Sequence, residues 1–400
     1  MKDALRRNVQ EFSGSLGDLG TFLPLAVSLI AVCGLDAAPV FFSAGLFYVA
    51  ASLSFRLPMP VQPLKATSAV AIAIGAAPQE IAATALFMGA IFISIAVFRL
   101  DRPLKALFPR PVVRGIQLGL GILLVKGGWN LLGKDLWTPS FEAAGLTIPA
   151  GAIVAAVTAV LLLLSARDRR FPSALAAVLL GVLCGLWWAA PGTLSSLSAG
   201  FSLPGFSIPS SADLDTVLFT LLLPQIPLTF ANSIVATAAT CRTCFGKSAE
   251  KVTERRLSAS LGAANLFSGL AGGLPMCHGS GGVTAHYRFG ARTGRAGLFI
   301  GSILLLLGAF FGNSISSLCS LVPAAVLGMF LLYVGIEHGR LIRDILHLPR
   351  ETGVAVSIGL ITLATGNLSI AFGAGIALEF GLRTLWPAPG EEELHVQGNC

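Results

Sequence analysis

The chain is a succession of apolar segments separated by short polar connections. Predominantly apolar runs of 16 to 26 residues recur from one end to the other, and bilayer-crossing helices require runs of about this length. The pattern predicts an all-α polytopic membrane protein with fourteen transmembrane segments. The predicted spans are 14–33, 39–56, 57–77, 80–98, 111–128, 147–166, 171–191, 216–241, 257–272, 274–290, 294–312, 315–336, 351–366 and 369–385.

Spans 3 and 10 begin differently from the others. Span 3 starts with LPMPVQPLKATSA at residue 57, and span 10 starts with LPMCHGSGG at residue 274. Proline breaks a preceding helix, and both stretches then reach a residue suited to a helix start. Pro63 suits a first helical turn, and Gly279 or Ser280 can cap one. Each span is therefore predicted to be a short extended piece followed by a half-helix.

The sequence also repeats itself. LPM occurs at 57–59 and again at 274–276, and a Thr-Phe pair with a cysteine twelve residues after the threonine starts at Thr21 and at Thr229. These matches divide the chain into two halves of about 200 residues. Each half has seven predicted spans, and because seven is odd the second half must be inverted in the membrane. Inverted repeats with interrupted helices near mid-bilayer are typical of secondary transporters.

Composition and charge support the membrane assignment. The chain is 54% hydrophobic and 12% charged, with a mean hydropathy of +0.79. With a cytosolic N-terminus, all but three of the 27 Lys and Arg fall in cytosolic connections, and the long connection 192–215 has none. The exceptions are Lys65, Lys126 and Lys134. The positive-inside rule thus explains the net charge of +7 without a nucleic-acid partner and predicts cytosolic termini.

Polar residues suited to binding an anion cluster around the two half-helices. A helix N-terminus offers unpaired N–H donors and about half a positive charge, so two such termini that meet would bind an anion. The surrounding side chains are rich in neutral donors and poor in carboxylates, as an oxyanion site requires. The residues predicted to bind the substrate are Thr21, Gln62, Lys65, Gln225, Asn232, His278, Gly279, Ser280 and Gly281.

Several of these residues have structural alternatives. Asn232 is equally explained by hydrogen bonding between packed helices, and His278 by a helix-start group that the backbone satisfies. Asp18 and Lys65 each cost roughly 2.5–3.5 kcal/mol at the bilayer centre. We therefore expect Asp18 to neutralise Lys65 behind the site and to brace span 1 against span 3. The alternative is that Lys65 faces the anion itself or extends towards the membrane surface.

Four stretches, GSLGDLGTFLPL, PMPVQPLKA, PQIPLTFANS and LPMCHGSGGVTAHYRFGARTG, resemble motifs of the molybdate-transporter family, a branch of the sulfate permease superfamily. The resemblance implies a uracil-permease-like fold, a substrate-carrying core domain, and a gate domain that supplies a homodimer contact. The family pattern marks Gln62, Lys65, Gln225, Asn232 and the CHGSGG run as the site. The implied boundaries are 1–110 and 201–312 for the core, 111–200 and 313–386 for the gate, and 387–400 for a cytosolic tail.

These expectations combine into a secondary active transporter of a tetrahedral oxyanion in the plasma or inner cell membrane. Molybdate is the first substrate expected and sulfate the second, with elevator-type movement and proton coupling through His278 or Asp18. No cofactor or metal is expected. A channel and a membrane enzyme remain as alternatives. The enzyme would use Cys277 and His278 as a nucleophile pair, and no third group is evident to orient them.

Overall fold

The computed structural model describes residues 2–135, 140–143, 146–167, 173–188 and 198–385. The predicted tail 387–400, the end of span 7 at 189–191 and residues 192–197 of the external connection lie outside these residues. The first half contains α1 (Lys2–Ser15), α2 (Leu19–Cys33), α3 (Ala37–Phe55), β1 (Gln62–Pro63), α4 (Lys65–Ile74), α5 (Pro78–Phe98), α6 (Asp101–Leu107), α7 (Arg110–Asp135), β2 (Ser140–Ala143), β3 (Leu146–Pro149), α8 (Ala150–Arg167) and α9 (Ser173–Trp188).

The second half repeats the strand followed by a short helix, without a counterpart of the β2–β3 hairpin. It contains a π-helical segment (Thr216–Leu222), α10 (Gln225–Leu228), a second π-helical segment (Thr229–Ala236), α11 (Thr237–Phe245), α12 (Glu254–Leu270), β4 (Met276–Cys277), α13 (Ser280–Arg288), α14 (Arg295–Ser320), α15 (Ala324–Gly339), a 3₁₀ turn (Arg340–Asp344), α16 (Pro349–Thr365) and α17 (Leu368–Leu385).

These elements confirm fourteen spans arranged as seven plus seven. Among the described residues, eight helices are long and apolar enough to cross a membrane by themselves, and the remaining spans are shorter or interrupted. Spans 3 and 10 have the predicted form, since a two-residue strand precedes a helix of ten residues in α4 and nine in α13.

Some predicted span boundaries are wrong. Span 5 continues to Asp135 rather than ending at 128, and α14 continues to Ser320, where a break was predicted at 312–315. The chain turns instead just before Pro323, which immediately precedes α15. Proline lacks the N–H needed to continue a helix, whereas α14 continues through the more polar run GNSISSLCS at 312–320.

The two halves pack reciprocally. α3 packs against α14 and α5 against α12, which pairs span 2 with span 11 and span 4 with span 9. α7 packs against α15 at glycine positions: a Cβ on Gly128 would lie 2.7 Å from the Gly328 oxygen, and a Cβ on Gly328 would lie 2.7 Å from the Gly128 oxygen. Only glycine allows this backbone contact. Each glycine thus meets the backbone oxygen of the other, which is the symmetric contact expected between two inverted repeats.

Candidate functional site

The two interrupted spans meet through their extended pieces. β1 and β4 pair antiparallel, with Gln62 opposite Cys277 and Pro63 opposite Met276. The Leu64 N–H extends this pairing by donating to the Pro275 carbonyl at 2.9 Å. Because the strands run in opposite directions and each leads into a helix, α4 and α13 extend away from a common centre. Both helix N-termini therefore lie at that centre, where their unpaired N–H groups are concentrated.

Gln225 ties span 8 to the first turn of α4. Its side-chain oxygen accepts from the Thr67 N–H at 3.0 Å, and its side-chain nitrogen donates to the Thr229 hydroxyl at 2.8 Å. The Thr67 hydroxyl in turn donates to the Leu221 carbonyl at 3.0 Å. Two π-helical segments flank the short helix that begins at Gln225. Such segments are rare and frequently occur at functional sites.

Asn232 ties span 8 to the other half-helix. Its side-chain oxygen accepts from the hydroxyl of Ser280, the first residue of α13, at 2.8 Å. A carboxamide has one accepting and one donating end. With the oxygen bonded to Ser280, the Asn232 amino group is left as a donor, and no residue among those described accepts from it.

A cavity of about 40 Å³ lies beside these N-termini. On the same measure one water needs roughly 10–15 Å³, so the cavity has room for a small ion. Its lining residues come from spans 3, 5, 8, 10 and 12 and from the turn that follows span 12. They are Lys65, Gln117, Gln225, Leu228, Asn232, Ser233, Cys277, His338 and Leu341.

Lys65 supplies the positive charge of this cavity. It is the first residue of α4, so its charge adds to the positive end of the helix dipole. Within the described parts of the chain its ammonium takes part in no ion pair, and no carboxylate lines the cavity. The arrangement can hold an anion and is unsuited to a cation.

Comparison with known proteins identifies the family to which this chain is related. A family model described as molybdate transporter of MFS superfamily matches residues 10–124 and 217–337, more than half of the chain. Molybdate transporter 2 of Arabidopsis thaliana is 30% identical over 94% of this chain and 88% of its own length. The chain belongs to the molybdate transporter family. Molybdate transporter 1 of Chlamydomonas reinhardtii is also 30% identical, over 92% of this chain and 90% of its own.

Solved structures give the fold. The transmembrane domain of a cyanobacterial bicarbonate transporter, BicA, aligns with a TM-score of 0.64 at 17% identity and covers 92% of this chain and 98% of that domain. Murine Solute Carrier 26 family member A9, an anion transporter, aligns with a TM-score of 0.66 at 15% identity, over 94% of this chain and 68% of that one. The fold of two inverted seven-span repeats is thereby confirmed. Membership of the molybdate transporter family makes the chain a multi-pass membrane transporter and not an enzyme.

The predicted residues of this family member are only partly brought together. Lys65, Gln225 and Asn232 line the cavity, whereas Gln62 does not. The Gln62 side-chain nitrogen donates instead to Asp18, whose other carboxylate oxygen accepts from the Tyr48 hydroxyl at 2.6 Å. Both Asp18 oxygens are thus occupied.

The expected Asp18–Lys65 pair is not formed among the described residues. The physical reason is that Gln62 and Tyr48 satisfy Asp18, and Lys65 lines the cavity instead. Asp18 still braces span 1 against span 3, through the Gln62 amide rather than through the lysine.

Of the span 10 motif, only Cys277 lines the cavity. The His278 Nδ1 donates to the Pro60 carbonyl at 2.8 Å, and its Nε2 lies 3.2 Å from the Ser260 hydroxyl. Its ring is fully buried and packs on Phe47, with 4.7 Å between the centroids. His278 therefore fastens the entry to α13, and its ring does not reach the cavity wall.

The remaining predicted residues are Thr21 and the glycines. Thr21 lies in the first turn of α2 and is not on the wall of the cavity. A Cβ on Gly279 would overlap the Gln62 side-chain oxygen, whereas a Cβ on Gly281 would meet nothing within 4 Å. Gly279 is therefore required by close packing, and Gly281 is open at the start of α13.

The cavity residues that come from spans 5 and 12 were not predicted from the sequence. Gln117 and His338 were absent from the predicted set, and Cys277 entered only through the enzyme alternative and the CHGSGG run. The available signal was polarity, since Gln117 interrupts an apolar helix three residues after Arg114. Their position against α4 depends on how the two repeats pack, which the sequence does not give.

Proposed function

We propose that the protein is a secondary active transporter that carries molybdate across a cell membrane. The observation that supports this most directly is the ammonium of Lys65, which lines the cavity without an ion pair among the described residues. An uncompensated charge at membrane depth costs roughly 2.5–3.5 kcal/mol. A bound dianion would offset that cost, and the relatives named molybdate transporters favour molybdate.

The donors around the cavity suit a tetrahedral oxyanion. The Asn232 amino group and the first N–H groups of α4, those of Lys65 and Ala66, have no acceptor among the described residues. Each oxygen of an oxyanion accepts more than one hydrogen bond, and donors to a charged acceptor form the stronger bonds. Molybdate and sulfate share charge and shape, and molybdate is the larger. Selection between them would then rest on the size of the cavity.

The cavity lies between two groups of spans. Lys65 and Asn232 belong to the proposed core domain, 1–110 with 201–312, and Gln117 and His338 belong to the proposed gate domain, 111–200 with 313–386. In this proposal the core carries the anion past the gate in an elevator-type movement. The gate also supplies a homodimer contact, and both termini face the cytosol of a cell bounded by this membrane.

Proton coupling completes the proposal, with Asp18 as the coupling group. Both candidates have protein partners, His278 at its two ring nitrogens and Asp18 at its two oxygens, and Asp18 is preferred for its link to the cavity wall. Asp18 is bonded to Gln62, which stands in register with Cys277 on the cavity wall. Protonation of Asp18 would turn one of its accepting oxygens into a donor. It would thereby alter the hydrogen bonds that hold span 1 to the strand preceding α4.

The function is tested by uptake into liposomes that contain the purified full-length protein. We expect saturable uptake of labelled molybdate, partial competition by sulfate, and faster uptake when the outer solution is more acidic. Flux that rises linearly with concentration would identify a channel. An absence of molybdate uptake at both pH values would contradict the proposed function.

A further inference from the structure

Part of the cavity wall comes from α7, α15 and the turn after α15. This part is formed by Gln117, His338 and Leu341. None of the three has a role in the binding of an anion by the N-termini of α4 and α13 themselves. Gln117 is the strongest candidate for a ligand contact because this polar residue is only 5% exposed and nevertheless lines the cavity. Buried polar groups normally have hydrogen-bond partners.

The orientation of the Gln117 carboxamide is set by Arg114. The Arg114 Nη1 donates to the Gln117 side-chain oxygen at 2.8 Å. A guanidinium can only donate, so the oxygen must be the end that faces Arg114. The amino end of Gln117 has no acceptor among the described residues and is the end left for a ligand.

Arg114 is itself held by Asp344. Its Nε lies 2.9 and 3.0 Å from the two carboxylate oxygens of Asp344, and its Nη2 contacts one of them as well. Paired contacts of this kind fix the guanidinium in plane and position. Arg110 adds a second cation 3.3 Å from the same carboxylate. Asp344 closes the turn that directly follows α15, so this cluster fastens α7 to α15 beside the cavity.

His338 does not replace Gln117 as a donor. Its Nδ1 lies 2.9 Å from the Val334 carbonyl, and a carbonyl only accepts, so Nδ1 carries the hydrogen. The neutral ring then offers a lone pair at Nε2, which repels an anion. Gln117 is therefore the neutral donor that this wall offers.

We propose that Gln117 contacts the bound oxyanion from the gate side, and that Arg114 is a positioning residue that turns the Gln117 amino group towards it. The inference rests on the proposed function. It places the anion between a core that moves and a gate that does not. The Gln117 contact forms when the core reaches the position seen here and breaks when the core leaves.

The test measures molybdate and sulfate affinity by calorimetry on the purified full-length protein. Gln117→Glu keeps the shape of the side chain and replaces its amino group with a carboxylate oxygen. We expect molybdate affinity to fall about tenfold or more, because a hydrogen bond to a charged group is lost and a like charge is introduced. Gln79→Glu makes the same change at an exposed position at the start of α5 and should leave affinity unchanged.

Arg114→Lys tests the positioning role, because a lysine ammonium cannot make the paired contact with Asp344 and also hydrogen-bond to Gln117. Alone it should weaken molybdate binding and change the molybdate-to-sulfate ratio. In a Gln117→Leu background it should have no further effect on affinity, since the group it orients is gone. A purely structural role would give the same loss in both backgrounds, which would overturn the positioning role.

The outcomes separate this inference from the proposed function. Thermal unfolding of each variant checks that it is folded, and Gln117→Asn, which keeps the amide but shortens its reach, gives a second reading if Gln117→Glu fails to fold. Wild-type affinity in Gln117→Glu or in Gln117→Asn overturns the Gln117 contact while molybdate transport stands. A wild-type protein that binds no oxyanion overturns both.

Discussion

The side-chain oxygen of Gln225 lies 3.0 Å from the backbone nitrogen of Thr67. Thr67 is the third residue of α4, and its N–H is one of those that a helix leaves unpaired at its N-terminus. A side chain from span 8 therefore caps the span 3 half-helix. Like a local N-cap residue, it provides an acceptor for an unpaired N–H group, although it comes from a distant segment of the chain. The cap fixes the position of α4 against span 8 while the remaining N–H groups stay available.

Replacing Gln225 with Leu should destabilise the protein. The buried Thr67 N–H would lose its acceptor, at a cost of about 1–3 kcal/mol. Chemical unfolding in detergent measures this loss, with the exposed Gln79→Leu as the matched control. Equal stability of the two variants would show that the Gln225 cap does not matter for folding.

Lys65 should dominate affinity. Lys65→Met keeps the length of the side chain and removes the charge, so molybdate binding should weaken by about 10–100-fold, the equivalent of about 1.5–3 kcal/mol for a bond to a charged group. The fold should survive because no ion pair is broken among the described residues. Lys126→Met, another lysine of the described helices, is the control. Unweakened binding by Lys65→Met would show that the ammonium does not face the anion.

Asp18 should determine the pH response. Asp18→Asn keeps the size of the group and an oxygen for Tyr48 but cannot take up a proton. If Asp18 couples protons, the variant should transport molybdate at the same rate at two outer pH values between which the wild type differs. Tyr48→Phe removes one donor and keeps the carboxylate, so it should retain the pH difference. A pH difference of wild-type size in Asp18→Asn would transfer the coupling role to another group.

The glycines of span 10 provide a paired test of packing. In Gly282→Ala the added Cβ would lie 2.6 Å from the Gln62 side-chain nitrogen and 2.7 Å from an Asp18 oxygen. Overpacking of this kind costs about 1–3 kcal/mol, so the midpoint of unfolding should fall. Gly281→Ala adds the same methyl group where nothing lies within 4 Å and should fold as well as the wild type. Equal loss in both variants would mean that the contact with Gln62 is unimportant.

The sequence predicted the parts of the fold that depend on local chemistry. Proline at the entries of spans 3 and 10, followed by Lys65 or Ser280, was enough to indicate an extended piece and a half-helix. The boundary between spans 11 and 12 was misplaced because the polar residues Asn313 and Ser314 indicated an end, whereas the helix continues past them and the chain turns only before Pro323. Local sequence thus identified the interrupted elements better than it identified where neighbouring helices end.

The candidate site was only partly predictable for a different reason. Three of the polar residues predicted to bind the substrate line the cavity, and they are Lys65, Gln225 and Asn232. Gln62 carries the same type of side chain as Gln225, yet it bonds to Asp18 behind the site. Which of two amides faces a cavity depends on the packing of separate spans, and no spacing within one span encodes it.

X-ray diffraction at the molybdenum absorption edge, from crystals grown with molybdate, tests the central claim most directly because it locates the metal atom itself. The account predicts one anomalous peak in the cavity beside the first turn of α4, with oxygens in contact with the Lys65 ammonium and the Asn232 amide. A peak remote from both helix starts, or a cavity occupied only by solvent in a protein that takes up molybdate, would contradict it.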